Sequence, residues 1–184
     1  MGHTMPSSSY QGKHWTVQSV LHVVKHDKSP GVLRLLDIGA GQGTYYDFLD
    51  HHFEKCFWTA VEAWAPYVDE FDLENKYDLV INEDVRDLKI EDFDLYHIGF
   101  CGDVLEHMEK SEAKRLIRGM RRVCEYIYIS LPVIEWPQDA VNGNPFEEHV
   151  ATWSPEEIPD AFPDAVIDQY VDGAIGCYVL RGLT

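Results

Sequence analysis

Short apolar runs alternate along this chain with stretches in which apolar residues recur every three or four positions. Val17, Val20, Leu21 and Val24 fall at helical spacing, so residues 15–27 read as a helix ahead of the first strand. Val32-Leu33-Arg34-Leu35-Leu36-Asp37-Ile38 has the character of a buried strand and stops at Gly39; residues 44–53 continue as a helix with aromatic and leucine positions on one face. The pattern then repeats. A strand over 57–61 leads to a short helix at 66–71, strands at 77–81 and 95–100 follow, and 111–124 is amphipathic through Ala113, Leu116, Ile117, Met120 and Val123. A fifth strand, 126–131, stops at Pro132. Strands alternating with helices predict parallel pairing through right-handed crossovers.

Beyond Pro132 the alternation breaks. Residues 132–153 carry Pro, Asn and Gly without a period, and a long irregular segment in a compact domain is often functional. This is the expected substrate-side loop, with Trp136 and Phe146 as candidate walls. Ser154-Pro155-Glu156-Glu157 has the form of a helix start: serine at the N-cap, proline at N1 and glutamate at N3 predict a capping box, for a helix ending near Phe162. Two last strands, 165–171 and 175–180, flank Asp172-Gly173, a tight-hairpin signal. The expected fold class is therefore α/β: a seven-stranded, mostly parallel sheet with helices on both faces, the last strand antiparallel and the reversal at the sheet's end.

At 184 residues the chain is one domain, with 1–28 as an N-terminal helix and lid, and a 45% hydrophobic composition supplies a real core. The 15 Lys and Arg against 32 Asp and Glu leave a formal charge of −17, a field that repels nucleic-acid phosphates. The basic run Lys114, Arg115, Arg118, Arg121 and Arg122 reads as the polar face of its helix. No apolar run approaches the ~18 residues of a membrane span, and residues 1–15 lack the apolar core of a secretory signal. Cys56, Cys101, Cys124 and Cys177 lie far apart with no C-x-x-C pair, as expected of reduced thiols in a cytoplasmic protein.

The chemistry is concentrated in Asp37-Ile38-Gly39-Ala40-Gly41-Gln42-Gly43-Thr44, between the first strand and the first sheet helix. Glycines serve where backbone approaches a ligand closely, and the helix that follows aims free N–H groups at it. The dinucleotide fingerprint G-x-G-x-x-G would need its third glycine at position 44, which is Thr44. The pattern D-x-G-x-G-x-G instead resembles motif I of the class I S-adenosylmethionine-dependent methyltransferases. The resemblance extends over about residues 31–181: Glu62 ends the second strand, Asn82-Glu83-Asp84-Val85 follows the third, and Gly102-Asp103-Val104-Leu105-Glu106-His107 follows the fourth. It implies a Rossmann-like single methyltransferase domain that binds S-adenosylmethionine and releases S-adenosylhomocysteine. The implied cofactor contacts are Asp37, Gly39, Ala40, Gly41, Gly43, Glu62 on the ribose hydroxyls, Asp84 and Val85 on adenine, and Asp103.

Methyl transfer from a sulfonium is an in-line displacement, and a base is needed only where the acceptor must lose a proton early. His107, with Glu106 and His149, is the expected acceptor-activating set, at the carboxyl edge of the strands where such folds bind ligands. No resident metal is expected; were one bound, Asp103, Glu106, His107 and His149 offer suitable oxygen and nitrogen ligands. The E-H plus later H-x-x-x-W-S arrangement looks like the metal-dependent 2′-O-methyltransferases of small RNAs and is similar to ubiquinone-pathway O-methyltransferases. The expected acceptor is a small molecule methylated on oxygen or nitrogen. The rivals are a metal-dependent RNA 2′-O-methyltransferase, a non-catalytic methyltransferase-fold partner subunit, and a nicotinamide oxidoreductase, which Thr44 disfavours. The oligomeric state stays open.

Overall fold

The computed structural model describes residues 10–26 and 31–184. The remainder of the expected N-terminal segment, 1–9 and 27–30, lies outside the described residues.

Seven strands form one sheet: β1 (Leu33–Ile38), β2 (Cys56–Val61), β3 (Leu79–Ile81), β4 (Tyr96–Gly102), β5 (Cys124–Pro132), β6 (Val166–Asp172) and β7 (Ile175–Arg181). Their order is β3-β2-β1-β4-β5-β7-β6, all parallel except β7, which runs antiparallel to both neighbours. The reversed strand is therefore not at the sheet's end. Hydrophobicity explains the correction. β7 is buried from Ile175 to Leu180, whereas β6 exposes Ile167, Asp168 and Gln169; the strand that is apolar on both faces goes inside, and the half-polar one takes the edge. The Asp172-Gly173 turn makes the hairpin as expected, with Gly173 at φ +56°.

Strand residues alternate between two cores. Leu36, Ile38, Ile127, Ile129, Leu131, Tyr178 and Leu180 face one cluster; Leu33, Leu35, Tyr128 and Val179 face the other. The first cluster is closed by α5 (Lys110–Val123) through Leu116, Ile117 and Met120, and by Ile158 of α6 (Glu157–Ala161). The second is closed by α1 (Tyr10–His26) through Val20, by α2 (Thr44–Leu49) through Tyr45 and Leu49, and by Leu73 of a short helix beyond α3 (Ala65–Glu70), namely α4 (Leu73–Lys76). The helix expected over 44–53 thus ends at Leu49 and tightens into a 3₁₀ turn at Asp50–His52, and α4 has no counterpart in the periodicity.

The capping box lies elsewhere than expected. Glu109 caps α5 and Glu112 reaches back to the Glu109 backbone, as the pair of groups in such a box must. At 154–157 no side-chain cap forms, and α6 begins only at Glu157. The Glu157 carboxylate instead pairs with Lys110 Nζ at 2.7 Å. All four cysteines are free thiols, three of them buried, and no described helix is long and apolar enough to cross a membrane.

Candidate functional site

The glycine loop is fixed by its own backbone before any ligand arrives. The N–H groups of Gly39 and Ala40 donate to the Val61 carbonyl at the end of β2 (2.8 and 3.3 Å), and that of Gly41 donates to Glu62 Oε2 (2.9 Å). Glu62 Oε1 accepts from the Trp64 N–H at 2.8 Å. A carboxylate has about four acceptor positions, so Glu62 is aimed by two backbone donors and keeps capacity for hydroxyls. Burial raises its pKa, opposed by the Trp64 and Gly41 bonds. Asp37, at the end of β1, is 2% exposed and accepts from Tyr77 Oη at 2.6 Å. Burial pushes its pKa to about 7; the Tyr77 bond lowers it and the Glu62 charge adds to the rise. From α4, Lys76 Nζ reaches the Gln42 carbonyl at 3.0 Å and steadies the far side of the loop.

Two hollows meet at this loop. The smaller, about 110 Å³, is walled by Glu62, Tyr67, Asp84, Val85, Asn144 and Phe146. Tyr67 Oη donates to Glu147 Oε1 (3.2 Å) and ties α3 to the segment beyond β5. Asp84 lies on this wall with its carboxylate engaged: Arg86 Nη2 sits 2.6 Å from Oδ2, and the Arg86 N–H is 2.9 Å from Oδ1. That pairing lowers the Asp84 pKa against the raising effect of burial, the largest single contribution. Any adenine amine would share an oxygen already held by a guanidinium.

The larger hollow, about 570 Å³, lies on the other side of Gly39 and Gly41 and takes in Lys13, Asp103, Glu106, His107, Trp136 and His149 among its walls. Residues 102–107 and 132–151, distant in sequence, are stitched together here. The N–H groups of Val150 and Ala151 donate to the Glu106 carbonyl (2.8 and 3.0 Å), and the His149 N–H donates to the Gln138 carbonyl (2.9 Å). His107 and His149 come to a ring-centroid separation of 4.9 Å. His107 Nδ1 meets the Glu148 carbonyl at 3.1 Å, and His149 Nδ1 meets the Trp136 carbonyl at 2.6 Å. A carbonyl only accepts, so both Nδ1 atoms carry the hydrogen, and in the neutral imidazole it is Nε2 that presents the lone pair. Burial lowers the His107 pKa, which keeps its imidazole neutral.

Glu106 completes the group. It is 2% exposed, and its Oε2 has no hydrogen-bond partner among the described residues. Burial, then the Asp103 charge, raises its pKa well above the usual carboxylate range. One ligand atom from each of Glu106, His107 and His149 lies within 4.8 Å of the others, a set that suits a divalent cation; Asp103, expected with them, is not one of the three.

The structure thus brings together the expected residues Asp37, Gly39, Ala40, Gly41, Glu62 and Asp103 with Glu106, His107 and His149. It adds Lys13, Tyr67, Tyr77, Gln138, Asn144, Glu147 and Asp172, which line the hollows or fix their walls. Of these, Gln138, Asn144 and Glu147 lie in the 132–153 stretch expected on the substrate side, Lys13 in the expected N-terminal helix and lid, and Asp172 in the expected hairpin turn, but no pattern marks the individual side chains. In the N-terminal helix, Trp15 stacks on Tyr170 of β6 (6.1 Å) and so anchors α1, while Tyr10 is 78% exposed. In the basic run Arg121 is buried, bonded to Asp164 and to the Arg181 carbonyl.

A family model described as a methyltransferase domain matches residues 36–126. No curated protein matches the chain in sequence. Among solved structures it is similar to the N-terminal domain of EvdMO1, determined in the presence of SAH and D-fucose, at 15% identity and a TM-score of 0.65 over 95% of this chain and 84% of that one. It is also similar to magnesium protoporphyrin IX methyltransferase (ChlM) from Synechocystis PCC 6803 with bound SAM, at 15% identity and a TM-score of 0.62 over 94% and 80%. The PH0226 protein from Pyrococcus horikoshii OT3 aligns at 16% identity and a TM-score of 0.64 over 96% and 92%. These similarities are similarities of fold.

Proposed function

Because the chain belongs to the class I S-adenosylmethionine-dependent methyltransferases, by fold and by the family match over residues 36–126, we propose that it transfers a methyl group from S-adenosylmethionine to an oxygen of a small-molecule acceptor. Similar structures were determined with SAM or SAH, one in the presence of D-fucose and one named for a porphyrin, which supports cofactor and small acceptor alike. Adenine takes the smaller hollow beside Val85 and Phe146, with the ribose at its mouth on Glu62; the sulfonium lies near Gly39 and Gly41. The methionyl carboxylate is left to Lys13, the one Lys or Arg among the walls of the larger hollow, which has no ion-pair partner among the described residues.

The observation that carries the oxygen reading is the pair of imidazoles with both Nδ1 hydrogens committed to carbonyls. A hydroxyl is a poor nucleophile until it loses its proton, and a neutral imidazole Nε2 is placed to take it. The acceptor oxygen then bonds to the methyl carbon as the carbon–sulfur bond breaks, the electron pair stays on sulfur, and neutral S-adenosylhomocysteine leaves. An amine acceptor, once neutral, needs no such base.

A second reading, metal-assisted activation of the same hydroxyl, is favoured by the unanswered Glu106 Oε2. Glu106, His107 and His149 would hold the ion, and a bound divalent cation would lower the pKa of the acceptor hydroxyl. RNA as acceptor fits the surroundings poorly, since Asp103, Glu147 and Asp172 line the hollow opposite a single lysine. Calorimetry should show S-adenosylhomocysteine binding and NADH not binding, and labelled S-adenosylmethionine with fractionated small-molecule extract should yield a methylated product. Binding of NADH alone would overturn the reading. Melting curves with Mn²⁺ and with chelator decide between the two forms of activation: a rise in Tm with Mn²⁺ that His149→Ala abolishes belongs to the metal.

A further inference from the structure

We propose that the acceptor is a neutral, polyhydroxylated ring, a saccharide, laid against Trp136 in the larger hollow; this rests on the methyltransferase reading and adds the substrate class. The hollow is too large for the methionyl end of the cofactor alone. Adenine has its own recess, and the roughly 570 Å³ on this side of the glycine loop is of the size that small-molecule sites occupy. What remains beside the methionyl group has room for a ring.

Charge selects the ring's character. Asp103, Glu147 and Asp172 face the hollow, and Lys13, the one lysine there, is taken up by the cofactor carboxylate. A phosphate or carboxylate on the acceptor would enter a site with no cation left for it. Carboxylates and the side chains of Gln42 and Gln138 are instead acceptors for hydroxyl donors; hydroxyls that meet a wall of carboxylates make charge-assisted bonds.

Shape selects a ring with polar edges and an apolar face. Trp136 is 41% exposed on this wall, in a segment that is otherwise tied down, and its own carbonyl holds His149 Nδ1 at 2.6 Å. The indole is therefore carried one hydrogen bond from the imidazole that would deprotonate a hydroxyl. A pyranose offers C–H groups to an indole and hydroxyls to its surroundings, an arrangement that one exposed aromatic among polar side chains matches. Pro132, Ala174 and Ile175 give the hollow apolar surface as well, but Asp103, Glu147, Gln138 and Asp172 share the lining, and hydroxyl donors answer those groups where the face of a planar aromatic ring does not.

The test uses the full chain saturated with S-adenosylhomocysteine, whose own binding is first measured by calorimetry. Saturation-transfer NMR is then recorded with the neutral methyl glycosides of glucose, galactose, mannose and rhamnose, with methyl glucuronide, with glucosamine and with catechol. Neutral glycosides are expected to bind and, with labelled S-adenosylmethionine, to gain a methyl ether; methyl glucuronide should bind about tenfold more weakly. Trp136→Ala should weaken the neutral glycosides about tenfold while Trp136→Phe keeps most of the affinity. Asp172→Lys should bring methyl glucuronide up to or above its neutral counterpart, a gain of binding that a misfolded variant cannot imitate. Glycosides that fail to bind, catechol or glucosamine bound in preference to them, or an affinity blind to both substitutions would overturn the proposal. If S-adenosylhomocysteine itself does not bind, it is the methyltransferase reading that falls.

Discussion

Substituting Gly39 by alanine tests whether the loop's geometry is set by contact as well as by conformation. Gly39 has φ +67°, in the left-handed region, where a residue with a Cβ is strained by about 1–2 kcal/mol. A Cβ built there would also overlap the Cγ2 methyl of Val104, from the segment after β4. Val104 is β-branched and stiff at χ1, so the overlap is not relieved by a small rotation and adds about 1–3 kcal/mol. Gly39→Ala should therefore cost about 2–5 kcal/mol, much of what a domain has in hand. Gly41 is the control. It has φ +50°, but its nearest foreign atom would be the Gly39 carbonyl oxygen at 3.9 Å, so Gly41→Ala should cost only the strain of about 1–2 kcal/mol. Adding Val104→Ala to Gly39→Ala should recover the overlap, a coupling of about 1–3 kcal/mol in a double-mutant cycle. Urea unfolding followed by far-UV circular dichroism reads all five proteins, the Val104→Ala single variant included, with m unchanged if the denatured state is unaltered. Equal costs at positions 39 and 41, or a cycle without coupling, would refute the reasoning.

Three further outcomes follow from the same site. Asp37 has a folded pKa of about 7 against an ordinary 3.8, so its stabilising contribution is present below about pH 4 and lost as pH rises through about 7. At 1.36 kcal/mol per unit the loss is about 4 kcal/mol, and Asp37→Asn should flatten that part of the stability profile measured by urea melts between pH 4 and 8.5. Lys13→Ala should weaken S-adenosylhomocysteine about tenfold by calorimetry and leave 5′-methylthioadenosine, which lacks the carboxylate, unchanged; equal losses for both would remove Lys13 from the carboxylate. Glu62→Gln sets an amide N–H₂ against the N–H of either Gly41 or Trp64, and should lower stability by about 1–3 kcal/mol and cofactor affinity with it; a variant that binds S-adenosylhomocysteine as well as the parent would contradict the ribose assignment.

The glycine loop was legible because its determinants are local. Asp37, Gly39, Gly41 and Gly43 are neighbours in sequence, and a strand-to-helix turn with three residues at positive φ leaves a compositional mark. The wall of the larger hollow is assembled across long separations: residue 106 with 150 and 151, 107 with 148, and 136 with 149. Nothing in the period of a segment announces such pairings: Gln138 is one unmarked position in its loop, Asp172 reads as a turn residue, and Lys13 carries no signal because helical patterning sorts residues by face and not by what lies opposite. The capping box went astray for a related reason. Ser154-Pro155-Glu156-Glu157 has the right local form, but α6 begins only at Glu157, whose carboxylate meets Lys110 of another helix. The strand order β5-β7-β6 was recoverable in principle, since six consecutive buried positions in β7 beside an exposed β6 imply which is interior.

The acidity of the chain acquires a sharper meaning from where its acids are buried. Among the described residues the buried carboxyls are Asp37, Glu62 and Glu106, and all three stand at or just beyond the carboxyl ends of strands, facing the two hollows. Burying a carboxyl costs free energy unless hydrogen bonds or charge answer it. The answers are graded. Glu62 has two backbone donors, Asp37 has the Tyr77 hydroxyl, and Glu106 keeps one oxygen without a partner. A ligand that is cationic at sulfur and rich in hydroxyl donors supplies part of what the first two lack, and ligand binding to the native state alone then raises stability by mass action. The unanswered oxygen lies in the larger hollow, and with the acceptor placed there as proposed, cofactor binding alone leaves the Glu106 cost in place and the larger reserve of ligand-linked stability goes to whatever binds beside His107 and His149.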